Sequence, residues 1–156
     1  MKGMDTDLLQ KPQASTQPTA FVDVSVIGAY LAGGEAASRL FGDRYRDGVR
    51  FAVDPVVLQE MLVLPQVKES PELLETMRDH VNFEILPLDI ERSQQLLQRA
   101  KALRNGIVHS SGLLVAASAR DCDYLITYDP ALKELIEGDR PRVVTPEQFT
   151  SLMPAP

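Results

Sequence analysis

The chain has almost no cysteine: Cys122 stands alone among 156 residues. A single thiol excludes an intrachain disulfide and a cysteine-built zinc site, and a reducing, cytoplasmic setting is the reading that follows. Also missing is any apolar run near the roughly 20 residues that a membrane-spanning helix needs. The opening MKGMDTDLLQKPQASTQPTA has no basic stretch leading into an apolar one, so no secretory signal is expected. Positive charge is short too: 16 Lys and Arg against 22 Asp and Glu leave a formal net charge of −6. General nucleic-acid binders are usually basic, which counts against that class. A metal-dependent nuclease is not excluded, because it keeps acids at its centre and needs only a local basic rim.

What is present is an alternation of short apolar runs and helical patterns. Residues 1–19, rich in Gln, Thr, Pro, Lys and Asp, read as a flexible tail, and 20–156 as one domain. Strands are expected at 20–24, 50–53, 83–86, 124–127 and 142–145. The helix expected over 25–41 is interrupted or kinked at Gly33-Gly34. Asp54-Pro55 reads as an N-cap and first helical residue of a helix reaching about Leu64. Ser70-Pro71 opens another to about His80, Asp89 caps one to about Arg104, and Asn105-Gly106 ends it. Ser110 or Ser111 caps a helix to Arg120, 129–135 forms a short one, and Pro146 opens a terminal turn. Apolar strands alternating with helices imply a parallel sheet covered on both faces.

Three acids stand where such a sheet binds ligands, beyond the carboxyl ends of its strands. Asp23 ends the first strand and is either a helix cap or a ligand; Ser25 follows two residues later. Asp129 follows the fourth strand in YLITYD, with Thr127 two residues before it; its alternative is an ordinary Asp-Pro turn. Glu60 has Val56, Val57, Val63 and Leu64 as same-face helical neighbours. A carboxylate on that stripe is buried and needs a cation, or lies at the stripe's edge and reaches water. Hard divalent cations such as Mg²⁺ take oxygen ligands and keep several waters, so one or two carboxylates suffice.

On these residues the chain resembles the PIN-domain family. FVDVSVIGAYL is similar to the opening of PIN domains, VDPVVLQEML to their second acidic segment, and SGLLVAASARDCDYLITYDPAL to their third and fourth combined. RVVTPEQF resembles the C-terminal strand and helix of bacterial members. The resemblance covers about 20–152 and implies a three-layer α/β/α fold with a five-stranded parallel sheet ordered 3-2-1-4-5. It implies a Mg²⁺- or Mn²⁺-dependent ribonuclease, often a toxin of a toxin–antitoxin pair and homodimeric. Asp23, Glu60 and Asp129 would be its catalytic, metal-holding acids, with Ser25 and Thr127 in support.

One position departs from the family. The acid that normally opens the third segment is replaced by Gly112, which has no side chain to bind metal. His109, Ser110 and Ser111 stand just before it, as helix caps and surface residues in their simpler reading. A catalytically inactive PIN scaffold that binds RNA or protein is therefore the alternative function. Arg39, Arg44, Arg46 and Arg50 cluster around Tyr45, where they either contact phosphate and a base or form a solvated surface; Arg44 and Arg46 are the candidate substrate contacts. Neighbouring acids discourage a thiolate at Cys122. A receiver-like signalling domain also places Asp at strand ends, but it wants a lysine after its last strand, and none follows here.

Overall fold

A computed structural model describes residues 17–102, 110–136 and 138–153. The tail up to residue 16, Asn105-Gly106 and His109 lie outside these. Five strands, β1 (Thr19–Val22), β2 (Arg50–Val53), β3 (Glu84–Ile85), β4 (Tyr124–Ile126) and β5 (Arg142–Val144), form one parallel sheet. Its order is β3-β2-β1-β4-β5. That is the 3-2-1-4-5 arrangement expected of a PIN-like fold, with helices on both sides. β1 and β2 are buried along nearly their whole length, which is why TAFV and RFAV show no polar–apolar alternation. Phe21, Ile27, Leu125, Leu132, Leu135 and Phe149 fill the core.

Between β1 and β2 run α1 (Val24–Leu31), α2 (Glu35–Leu40) and α3 (Asp43–Arg46). Gly33, at φ 82°, makes the break between α1 and α2. Of the two expected alternatives, interruption and kink, the structure shows the interruption. Phe41 closes this segment, meeting Tyr30, Phe51 and Phe83 edge-on at centroid distances of 5.1, 5.3 and 5.9 Å.

After β2 come α4 (Pro55–Met61), α5 (Pro65–Glu69) and α6 (Leu73–His80). The helix expected to reach Leu64 stops at Met61. The cause is Pro65: the residue before a proline is pushed out of the α region, and Leu64 is extended at ψ 138°. The turn leaves Leu62 and Val63 58% and 61% exposed. The long crossover to β4 holds α7 (Ile90–Ala102), α8 (Ser110–Ser118) and a 3₁₀ turn (Ala119–Asp121). α9 (Pro130–Leu135) and α10 (Pro146–Leu152) follow β4 and β5. Thr145 and Gln148 form a reciprocal capping box on α10.

Candidate metal and substrate site

The order of strands reverses between β1 and β4. The chain leaves β1 toward β2 on one side, and β4 toward β5 on the other. The loops after β1 and β4 thus diverge and open a crevice at the carboxyl edge of the sheet, the usual ligand position in open α/β folds. The first residue past β1 is Asp23; Thr127 is the first past β4.

These two side chains meet. Thr127 Oγ1 donates to Asp23 Oδ2 at 2.8 Å, and Ser25 Oγ donates to the same oxygen at 2.9 Å. Ser25 Oγ accepts from the Tyr128 N–H at 3.1 Å, and Thr127 Oγ1 accepts from the Asp129 N–H at 2.9 Å. Asp23 and Thr127 are buried. The result is a connected set in which both hydroxyls aim their protons at one carboxylate oxygen and anchor the loop that carries Asp129.

The two alternatives for Asp23 separate here. Although it occupies the N-cap position of α1, its carboxylate makes no capping hydrogen bond. Asp129 does cap: its Oδ1 accepts from Ala131 N at 2.9 Å, with Pro130 as first helical residue. Asp54 caps α4 as expected, its Oδ1 accepting from Val57 N at 2.9 Å.

Glu60 is half-buried on α4 rather than enclosed by an apolar stripe, because the helix ends before Val63 can join that face. α4 packs on α1 and on α8, and α8 packs on α9. The helix bearing Glu60 thus neighbours both α1, which follows Asp23, and α8, which carries Gly112 in its first turn. α8 feeds β4 through the 3₁₀ turn, so its amino end points toward the carboxyl edge of the sheet.

The arginine cluster lies elsewhere. α3 runs directly into β2, which puts Arg44 and Arg46 at the amino edge of the sheet, opposite Asp23. Arg46 pairs with Asp43 at 2.7 Å and Arg50 with Glu84. Tyr45 is buried and packs on Phe149, so it offers no face to a base. The structure brings the side chains of Asp23, Ser25 and Thr127 together, joins the Asp129 backbone N–H to Thr127, and leaves Arg44 and Arg46 apart from them.

Sequence reasoning passed over Tyr128 as a neighbour of the acids. It lines a cavity of about 160 Å³ together with Thr127, Asp129, Lys133 and Gln148. Its hydroxyl donates to Glu147 at 2.8 Å. Burial, then that hydrogen bond and the charge of Glu147, push the phenol up to about 12. Cys122 is buried, and desolvation, followed by the charges of Asp123, Glu84 and Asp121, pushes its thiol up to about 12. Both effects disfavour the thiolate that a nucleophile needs.

Among the described residues, no three His, Cys, Asp or Glu side chains form a group ready to hold a metal ion. The donor chemistry nonetheless suits a hard cation. The carboxyl edge offers carboxylate and hydroxyl oxygens and no thiolate, and two carboxylates with waters satisfy Mg²⁺. One buried acid beside the site, Asp54, also keeps an oxygen without a hydrogen-bond partner.

No protein-family model and no curated protein sequence matches the chain. Among solved structures, it is similar in fold to a chain in the crystal structure of VapBC2 from Rickettsia felis bound to a DNA fragment from their promoter. The TM-score is 0.59 at 12% sequence identity, and the match covers 71% of this chain and 87% of that one. At that identity the likeness is one of fold: a five-stranded parallel α/β domain of the PIN-like kind.

Proposed function

We propose that the chain is a divalent-metal-dependent ribonuclease acting at the carboxyl edge of the sheet through Asp23, Glu60 and Asp129. The observation that carries this reading is the state of Asp23. Its buried carboxylate stands at the topological switch point, caps no helix, and is oriented by two hydroxyls from separate segments. Holding a buried charge in that way costs desolvation, which is understandable where the charge has a ligand to bind. A Mg²⁺ or Mn²⁺ ion held by Asp23, Glu60 and Asp129 would polarise water and neutralise charge on a phosphodiester. Ser25 and Thr127 fix the Asp23 carboxylate. Tyr128 and Lys133, beside Asp129, offer an aromatic face and a cation to an RNA strand.

The role of a toxin in a toxin–antitoxin pair, as a homodimer, is the finer form of this proposal. The fold likeness to VapBC2, a toxin–antitoxin complex, supports it. So does an apolar groove of about 450 Å³ lined by Met61, Leu62, Met77, Phe83 and Ile85, a surface suited to an antitoxin helix.

A second reading is favoured by Gly112 together with the lack of a ready three-acid group among the described residues. It is an inactive scaffold that binds RNA or protein. The test is cleavage of unstructured RNA with Mn²⁺, using Asp129→Asn as the contamination control. Cleavage by the wild type that this variant loses supports the nuclease. Equal cleavage by both, or none by either, supports the scaffold.

A further inference from the structure

β5 is an edge strand of the sheet, and both of its neighbouring helices contact it, α9 before it in the chain and α10 after it. A trough follows the strand between them. One end is the cavity of about 160 Å³ that holds Thr127, Tyr128 and Asp129. The other is a cavity of about 470 Å³ that reaches Arg142, Glu147 and Ser151. Lys133, Val143, Val144 and Gln148 line both, so the two adjoin. The trough thus begins beside Asp129 at the carboxyl edge and runs back along β5 to its first residue. From Arg142 to Thr145 that is about 10 Å at the rise of a strand.

The side chains in the trough differ from the rest of the surface in two ways. The chain has more acids than bases, and Arg39, Arg46, Arg50, Arg120 and Arg140 each pair with a carboxylate. Lys133 and Arg142 are exposed and form no ion pair among the described residues. The acids beside them are engaged elsewhere: Asp129 caps α9, and Glu147 accepts the Tyr128 hydroxyl at 2.8 Å. The second difference is the ring. Tyr30, Tyr45 and Tyr124 pack against Phe41 or Phe149. Tyr128 meets no other ring among the described residues, is 38% exposed, and is held in place through Glu147. Unpaired cations in a groove with a fixed aromatic ring are what single-stranded nucleic acid binds: the cations follow its backbone and the ring takes a base. Arg44 and Arg46 lie at the opposite edge of the sheet and cannot give the acids their basic rim.

We propose that this trough is the track of a single RNA strand, with Lys133 and Arg142 each holding a phosphate, Tyr128 stacking a base, and the strand meeting the acidic edge at Asp129. The inference rests on the ribonuclease reading for the identity of its ligand, but binding in the trough needs no cation. Phosphate contacts carry no sequence information and every base has a face to stack, so the track accepts RNA with little regard to sequence.

The test is binding of a fluorescently labelled, unstructured RNA, followed by anisotropy in EDTA at several salt concentrations. Lys133→Gln and Arg142→Gln should each weaken binding. Each should also reduce the slope of log affinity against log salt by about 0.7, the share of one phosphate contact on a single strand, and the double variant by about 1.4. Tyr128→Leu should weaken binding about 5- to 100-fold and leave the slope unchanged. Lys68→Gln removes the same charge from an exposed position on α5, in the crossover from β2 to β3, and should change neither quantity. All four positions are exposed, so each variant should melt with the wild type, which checks that it is folded. Wild-type affinity and slope in the Lys133 and Arg142 variants would overturn the track, and so would the absence of RNA binding by the wild type. Either failure leaves the ribonuclease reading standing if the same protein cleaves RNA with Mn²⁺ and Asp129→Asn does not.

Discussion

Thr127 gives its hydroxyl proton to Asp23 across a separation of 104 residues, at 2.8 Å and almost out of contact with solvent. The same oxygen of Thr127 accepts the Asp129 N–H at 2.9 Å. One side chain therefore orients the first acid and sets the loop that carries the last. Together with Ser25, which accepts the Tyr128 N–H, it couples β1 to β4 at the switch point beyond their ladder hydrogen bonds.

Thr127→Val tests that coupling while keeping the shape of the side chain. It leaves the Asp129 N–H without its acceptor and removes a donor from a buried carboxylate. Loss of a hydrogen bond to a charged group costs about 1.5–3 kcal/mol. The midpoint of urea unfolding should fall correspondingly with an unchanged slope, and Thr127→Ser should recover most of the loss. A Thr127→Val protein as stable as wild type would show that the two hydrogen bonds contribute nothing net.

Asp23→Asn separates charge from geometry. Its carbonyl oxygen still accepts from Ser25 and Thr127, so the metal-free protein should melt at the wild-type temperature or above, relieved of a buried charge. Saturating Mn²⁺ should stabilise wild type by about 2.7 kcal/mol at one hundred times the dissociation constant. The variant should lose most of that increment. Thermal unfolding with and without Mn²⁺ measures both effects, and an equal increment in both proteins would remove Asp23 from the cation site.

The sheet was legible because its strands are short apolar runs bounded by Asp, Pro and Gly. The order 3-2-1-4-5 came from resemblance rather than from pattern. What pattern could not reach was tertiary. Whether Asp23 caps its helix or faces the crevice depends on Thr127, which no local window contains. For Glu60 the two readings, enclosed on an apolar stripe or at its edge, could not be separated locally, because the stripe through Leu62–Leu64 is broken only where Pro65 pulls Leu64 out of the helix. The arginines around Tyr45 looked like a binding cluster in one dimension. The topology sends them to the opposite edge from the acids, and the tyrosine ring into the core. Asp54 announced its cap in Asp-Pro, but the unpartnered second oxygen shows only once α4 is packed.

Cys122 makes a prediction in alkali. Its thiol lies at 9.0 in the unstructured state and is pushed to about 12 in the fold, mainly by burial. The folded protein holds its proton more tightly, so below pH 9 both states are protonated and the full stability is present. As pH rises from 9.0 toward about 12 the unfolded chain loses the proton first, and stability falls. Cys122→Ala should flatten that part of the decline in urea midpoints relative to wild type. In native buffer at pH 8 the thiol should react with iodoacetamide only as fast as the protein opens, and prompt alkylation would contradict its burial.

Gly112 lies in the first turn of α8, at the end that points to the carboxyl edge, between the helix of Glu60 and the helix begun by Asp129. The PIN resemblance puts an acid at this position. Gly112→Asp adds one where the helix dipole favours negative charge, by about 0.3–1 kcal/mol. It also removes a glycine from a helix, which gains a few tenths of a kcal/mol more. Repulsion from the existing acids opposes both gains until a cation binds. The expected outcome is therefore a small change in metal-free stability, tighter Mn²⁺ binding, and faster cleavage of unstructured RNA than wild type. Gly112→Ala gives the helix gain without the carboxylate, so it should raise the melting temperature slightly and leave cleavage unchanged. Assaying wild type and both variants on one RNA with Mn²⁺ decides the matter. Strong wild-type cleavage that Gly112→Asp fails to improve would mean that the acidic edge is already complete without an acid at Gly112. Silence from all three proteins would move the function away from the acidic edge and toward a binding surface.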